Sequence, residues 1–423
     1  MVQSASVAVV ASSGYVPRLV DGRLGELFGE LPALLITGPR AAGKTTTAER
    51  LAATVVRLDR AREAEPFRAD PDAALRSLPE PVLLDEWQAV PEVLGAVKRA
   101  VDQDARAGRF LVTGSVRGRL DAPTWPGTGR LVHVNMWGLT ASEILGSRSK
   151  DPFLDTLARA DLSAFHPPSD APDLRGYVEL ALRGGYPEPV LHLKDRARER
   201  WLGSYLEELF SRDAESLDGP RDPVRLRRYF QALAVNSAGI ATEKTIYDAA
   251  GINRSTAVAY ERLLANLFVL DHVPAWSTNR LSRLVKASKR YLTDVSLLAA
   301  SLGLDEAAVM RDGDLLGRLI ETFVLAQLRP ELDLAGFRPR LFHLRERNGR
   351  REIDLVAELA AGRVVGIEVK STAAPKRSDA RHLEWLRDAL GERFLAGAVL
   401  HTGPRPFELS ERVFALPIAT LWG

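Results

Sequence analysis

Short, wholly apolar runs separated by stretches of helical spacing set the rhythm of the first 150 residues. ALLIT at 33–37, VVRLD at 55–59, PVLLDE at 81–86, RFLVTGS at 109–115 and RLVHVNM at 130–136 have the length and composition of buried strands. Between them lie helix-compatible segments such as TTTAERLAATV and PEVLGAVKRAVDQDARAG. Strands that are apolar on both faces and alternate with helices predict a parallel α/β sheet covered on both sides.

The rhythm dissolves between about 146 and 176, where SRSKDPFLD and FHPPSDAPD are rich in Pro, Ser and Asp and read as a connector or surface insertion. From 177 to about 310, apolar residues recur at three and four in YVELAL, RWLGSYLEELF, LRRYFQALAV and AVAYERLLANLFVL, which predicts a helical unit. After 315 a strong helix, LLGRLIETFVLAQLRPEL, precedes three strand-like runs, RLFHLRER, REIDLVAEL and RVVGIEVKS, the last two joined by a turn at AAGR. We therefore expect three domains at 1–150, 177–310 and 311–423, with no internal repeat, heptad array or purely charged tail.

Composition narrows the classes. Fifty-seven Lys+Arg against 55 Asp+Glu leave a net charge of +2, so any basic surface for nucleic acid must be local. Zero cysteines exclude disulfides, thiolate metal sites and cysteine nucleophiles, and fit a reducing, cytoplasmic setting. The N-terminal MVQSASVAVVASSGYVP lacks a basic segment before its apolar patch, and no run approaches the roughly 18 apolar residues that span a bilayer, so no membrane association is expected.

The chemistry concentrates at GPRAAGKT. Gly38, Gly43, Lys44 and Thr45 satisfy the spacing of a phosphate-binding loop, follow a predicted strand and open a predicted helix. Backbone N–H groups from Gly38, Pro39's successors Arg40, Ala41 and Ala42, then Gly43, Lys44, Thr45 and Thr46 surround the phosphates in such a loop, the lysine neutralises them, and the threonine hydroxyl ligates Mg²⁺. In VLLDE, Asp85 ends an apolar strand where a carboxylate can hold the Mg²⁺ shell, and Glu86 can polarise the attacking water. Thr113 and Ser115 end the next strand and either orient that water or merely form a turn. ATP with Mg is the expected ligand. Arg117, Arg119 and Arg130 are candidates for an arginine that stabilises transition-state charge, from the same chain or from a second copy in a homo-oligomer.

These segments, with GRLVHVNMWGLTASEI, GGYPE at Gly184–Glu188, KRYLTDVSLLA, LIETFVLAQL, EIDLV and GIEVKS, resemble a prokaryotic family of AAA-type ATPases related to the archaeal ATPases, in which an ATPase domain precedes a C-terminal domain of unknown function. The resemblance covers nearly the whole chain. It implies an AAA-type P-loop fold, with Lys44 and Thr45 on the nucleotide, Asp85 and Glu86 as the second acidic motif, Ser115 or Thr113 as a sensor and Arg130 as a candidate arginine finger. Where the family usually has a proline and a serine before a glutamate, this chain reads WGLTASE from Trp137 to Glu143.

Two further constellations bear on the target. Residues 240–273 outline a winged helix-turn-helix: a helix, a turn at Gly251, a second helix capped by Asn253 or Ser255, then a strand. The second helix would present Arg254, Ser255, Thr256 and Arg262 to double-stranded DNA, with Arg280, Arg283, Lys286, Lys289 and Arg290 nearby; the alternative is a packing module. In the C-terminal unit, Asp354 ends one strand and Glu368 and Lys370 share a face of the next. Carboxylates that hold a divalent metal beside a lysine suit phosphodiester cleavage, and with Glu321 on the preceding helix the unit looks like a restriction-endonuclease-type α/β core. A salt bridge or a docking domain that has lost activity is the alternative. The reading is thus an ATPase acting on DNA or a partner protein, against a nucleotide-gated nuclease or a non-hydrolysing, nucleotide-switched regulator.

Overall fold

The computed structural model describes residues 14–118, 129–147, 151–213, 222–239, 241–279, 283, 287–346 and 350–423. Five strands, β1 (Ala33–Thr37), β2 (Thr54–Arg57), β3 (Val82–Asp85), β4 (Phe110–Gly114) and β5 (Val132–Asn135), pair in the order β2-β3-β4-β1-β5. Every pairing is parallel. The central strands β1, β3 and β4 are buried at every position, as a sheet covered on both faces requires, whereas the edge strand β5 exposes Val132 and His133. All strands point the same way, so the loops after β1, β3 and β4 emerge on one side and share a site.

The helical unit begins earlier than its composition suggests. Within the stretch read as a connector, Phe153–Ala158 forms a helix whose Phe153, Leu154 and Leu157 are buried in one core with Leu355, Ile367, Ala398 and Leu416 of the C-terminal sheet. Flanking Pro, Ser and Asp residues mask this apolar turn in the sequence.

Helices Glu243–Ala249 and Arg254–Asn266 are separated by Gly251 at φ +66, and the second is capped by Asn253, whose side chain accepts from the Thr256 N–H at 2.8 Å. The antiparallel hairpin β6 (Leu270–Val273) and β7 (Lys289–Leu292) follows.

The C-terminal unit opens with the helix Gly313–Leu328 and is a mixed sheet in the order β12-β13-β11-β10-β9-β8. β8 (Arg340–Arg345), β9 (Glu352–Glu358) and β10 (Val364–Lys370) occupy the three expected runs, while β11 (Phe394–His401), β12 (Phe407–Ser410) and β13 (Val413–Pro417) extend the sheet beyond them. No described helix is long and apolar enough to cross a membrane.

Two buried histidines tie fold to pH. His401 ends β11 with its Nδ1 accepting the Gly403 N–H at 3.0 Å, and burial holds its pKa down at about 4. His343 on β8 is likewise lowered by burial to about 4. A histidine whose folded pKa lies below the unfolded value of 6.5 contributes stability that is complete above pH 6.5 and is lost as pH falls toward 4. The melting temperature should therefore drop between pH 7 and pH 5, and the drop should shrink in His343→Gln/His401→Asn; an unchanged pH dependence in that variant contradicts the assignment.

Candidate functional site

The loop after β1 is shaped by two glycines for different reasons. A Cβ on Gly38 would stand 1.8 Å from the carbonyl oxygen of Met136, so the loop runs flush against the chain leaving β5. Gly43 adopts φ +91, a conformation that L side chains rarely take, and turns the chain into the helix Lys44–Glu49. Lys44 is buried, and its Nζ donates to the carbonyls of Gly38 at 3.1 Å and Pro39 at 2.7 Å. Burial lowers its pKa to about 8, against the pull of Glu86 and Asp85.

The ends of β3 and β4 complete the array. Asp85 Oδ1 accepts from Thr45 Oγ1 at 2.7 Å and also from Thr113 Oγ1. Glu86 sits at φ +58, its N–H donates to Thr113 Oγ1, and its carboxylate accepts from Ser115 Oγ at 2.9 Å and from Gln88 Nε2. Gln88 also donates to Ser115 Oγ at 3.0 Å. Thr113 thus holds the Asp85 carboxylate and the Glu86 backbone, and Ser115 holds the Glu86 carboxylate. Thr45 Oγ1 and Asp85 Oδ1, the two groups suited to Mg²⁺, already lie within hydrogen-bond distance of one another, so a hard-cation site fits here.

The candidate arginines lie elsewhere. Arg130 precedes β5, at the end of the sheet opposite the loop, and its Nε donates to Asp102 Oδ1 at 2.6 Å on an exposed surface. Arg117 docks the next domain instead: Nε donates to the Ala265 carbonyl at 2.9 Å and the guanidinium covers the Phe268 ring. Arg119 falls outside the described residues.

A residue that spacing does not announce holds the loop. Arg18 is buried, with Nε donating to Glu143 Oε1 at 3.0 Å, NH1 to the Ala42 carbonyl at 2.8 Å, and NH2 to the carbonyls of Trp137 at 2.7 Å and Gly138 at 3.1 Å. Glu143, the glutamate of WGLTASE, also forms a capping box with Thr140. The GGYPE and TDVSLL segments meet beside this clamp: the Gly185 N–H donates to Asp294 Oδ2 at 2.8 Å, and the Gly185 carbonyl accepts from the Leu139 N–H at 2.6 Å.

The basic residues near the hairpin are largely spent. Lys289 and Arg290 are buried, Arg290 on Glu261 and Glu243, and Arg283 pairs with Glu358 at 2.6 Å. Arg280 and Lys286 lie outside the described residues, so Arg254 and Arg262 remain as exposed cations on the candidate recognition helix. In the C-terminal unit, Asp354 Oδ2 accepts from the Val369 N–H beside Glu368 at 2.9 Å, and Lys370 Nζ donates to Glu368 Oε2 at 2.9 Å. Glu321, Glu352 and Asp354 gather around Lys289, and among the described residues no group of three or more His, Cys, Asp or Glu is arranged to hold a metal ion.

Residues 30–145 match the model of an AAA domain, 153–308 a domain of unknown function (DUF8612) and 316–421 a second domain of unknown function (DUF4143). Uncharacterized proteins of Mycobacterium bovis and Mycobacterium tuberculosis are each 28% identical over 401 residues, spanning 93% of this chain and 82% of theirs. Among solved structures, a Walker-type ATPase of Pyrococcus abyssi aligns at a TM-score of 0.39 and 14% identity, over 69% of this chain and 97% of that one. The loop lies within the segment that matches the AAA domain model.

Arg18→Ala should weaken ATP binding by roughly 10- to 100-fold in calorimetric titration. Arg18→Lys should recover only part of the loss, because one ammonium cannot reach Ala42, Glu143 and the 137–138 carbonyls together. Full recovery by lysine would show that charge alone, not the forked geometry, holds the loop.

Proposed function

We propose that this protein is an Mg-dependent ATPase that hydrolyses ATP in the loop Gly38–Thr46 and uses the cycle to switch the helical and C-terminal units toward a partner protein. The observation that supports this most is the connected array of Lys44, Thr45, Asp85, Thr113, Glu86 and Ser115 at adjoining strand ends. Lys44 leaves the carbonyls of Gly38 and Pro39 for the β and γ phosphates, and loop N–H groups at the helix start take the remaining anionic oxygens. Thr45 and Asp85 would hold Mg²⁺, which would supply charge neutralisation on the phosphates. Glu86 orients and deprotonates the attacking water, with Ser115 and Gln88 fixing its carboxylate and Thr113 fixing its backbone. A protein target is favoured over DNA because the hairpin's described basic residues are committed to internal carboxylates.

Two substitutions separate the steps. Lys44→Ala should abolish both ATP binding and phosphate release, whereas Glu86→Gln should keep binding and lower release by about 100-fold or more. Equal release from the unaltered chain and Lys44→Ala would sink the proposal, and tight binding with no turnover in the unaltered chain would leave a nucleotide-switched regulator in place of an enzyme.

A further inference from the structure

The hairpin of the helical unit and the sheet of the C-terminal unit share an edge. After β6, the Trp276 N–H donates to the His343 carbonyl at 2.6 Å and the His343 N–H to the Pro274 carbonyl at 2.9 Å, so this segment covers the free side of β8. Covering that edge carries the first residue of β7 over the face of the sheet where β9 and the helix Gly313–Leu328 present their carboxylates. That residue is Lys289.

Its Nζ lies 3.0 Å from Glu321 Oε1, 3.3 Å from Glu352 Oε1 and 3.4 Å from Asp354 Oδ1, and the side chain is 3% exposed. The ammonium thus donates to Glu321 and Asp354 and forms an ion pair with Glu352. Burial alone would lower the pKa of this amine, but Glu321, Asp354 and Glu352 reverse the shift and raise it above the ordinary lysine value. Tyr291 on the same strand donates a second hydrogen bond to Glu321 Oε1. Asp354 is fully used, its other oxygen accepting from the Val369 N–H at 2.9 Å. A divalent ion needs oxygens at about 2.0–2.6 Å around an open centre, and this centre is filled by the ammonium.

Carboxylates beside a lysine are what a metal-dependent phosphodiesterase would need, but at the Glu321–Glu352–Asp354 cluster the residues do not fit a metal. We propose that Lys289 is the resident cation of the Glu321–Glu352–Asp354 cluster, and that the cluster is a charged joint locking hairpin β6–β7 onto the C-terminal sheet rather than a metal centre. The ammonium offsets part of the repulsion among the three carboxylates, and it fixes the hairpin's orientation through three ion pairs to one atom. This inference does not rest on ATP turnover.

The test uses the full chain, nucleotide-free and carrying Asp85→Asn so that the nucleotide site loses its metal-binding carboxylate. Titration with Mn²⁺, followed by the loss of free-ion paramagnetic resonance, should show no saturable site that depends on Asp354. In thermal melts Lys289→Met should lower the transition by roughly 5–10 °C, and adding Glu321→Gln should restore at least half of that loss by removing the stranded charge. Saturable Mn²⁺ binding abolished by Asp354→Asn while Lys289 is intact would overturn the proposal. So would a double variant no more stable than Lys289→Met. Should Lys289→Met yield no soluble protein, recovery of soluble chain in Lys289→Met/Glu321→Gln supports the joint, and failure of both variants counts against it.

Discussion

Much of this structure depends on one buried ion pair, Arg18 with Glu143. A guanidinium out of water is tolerated only where its donors are satisfied, and here they reach Glu143, Ala42, Trp137 and Gly138. Glu143 in turn accepts from the Leu19 N–H at 2.6 Å and the Thr140 N–H at 2.7 Å. The entry to the first helix, the phosphate loop and the chain leaving β5 are therefore one rigid piece. Removing either charge strands the other, at a cost of about 3–5 kcal/mol, and frees the carbonyl of Ala42 at the point where the loop must hold its shape.

That piece connects outward in two directions. Apolar packing joins the first sheet to the helical unit, with Trp87, Val90 and Val116 in one core with Tyr186, Leu206, Phe210 and Phe230. Toward the C-terminal unit the ties are polar. Gln327 Oε1, near the end of the helix Gly313–Leu328, accepts from the Ala141 N–H at 2.7 Å, and Arg329 covers the Trp137 ring. Residues next to the loop are thus touched by residues almost two hundred positions away, and a few identifiable contacts link the loop's surroundings to the C-terminal unit.

How much of this was legible in the sequence follows from the range of each interaction. β1 to β5 were readable because their burial is written locally, as apolar runs between helices, and the loop was readable because phosphate binding demands fixed types at fixed spacing. Gly184–Glu188 and Asp294 were visible as segments, but their meeting was not. Arg18 carried no local signal, since its carboxylate partner lies 125 positions on. Charge was the least legible property: Lys289 and Arg290 look like a basic edge in a string of letters and prove to be interior cations, because a sequence shows the sign of a side chain and not the carboxylates folded against it. The helix Phe153–Ala158 was hidden for a related reason, its core lying in a sheet assembled from residues two hundred positions downstream.

The strengths of these connections differ, and the difference bears on where motion is placed. The Arg18 clamp and the Lys289 joint are each multiply bonded and buried, so opening either one exposes uncompensated charge. Between them, beside the apolar core that holds Leu270 and Leu292 with Trp87 and the Arg329 contact on Trp137, stand single hydrogen bonds, Ala141 to Gln327 and Gly185 to Asp294, worth on the order of 0.5–1.5 kcal/mol when neutral and roughly 1.5–3 when one partner is charged. A strained assembly yields at its weakest bonds first. The Gly138–Ala141 and Gly184–Gly185 crossing is therefore the thinnest polar tie between the loop piece and the joined hairpin and C-terminal sheet. Gly138 and Gly185 suit that position, because a Cβ on Gly138 would lie 3.0 Å from the Gly185 carbonyl oxygen and bulk there would hold the two segments apart.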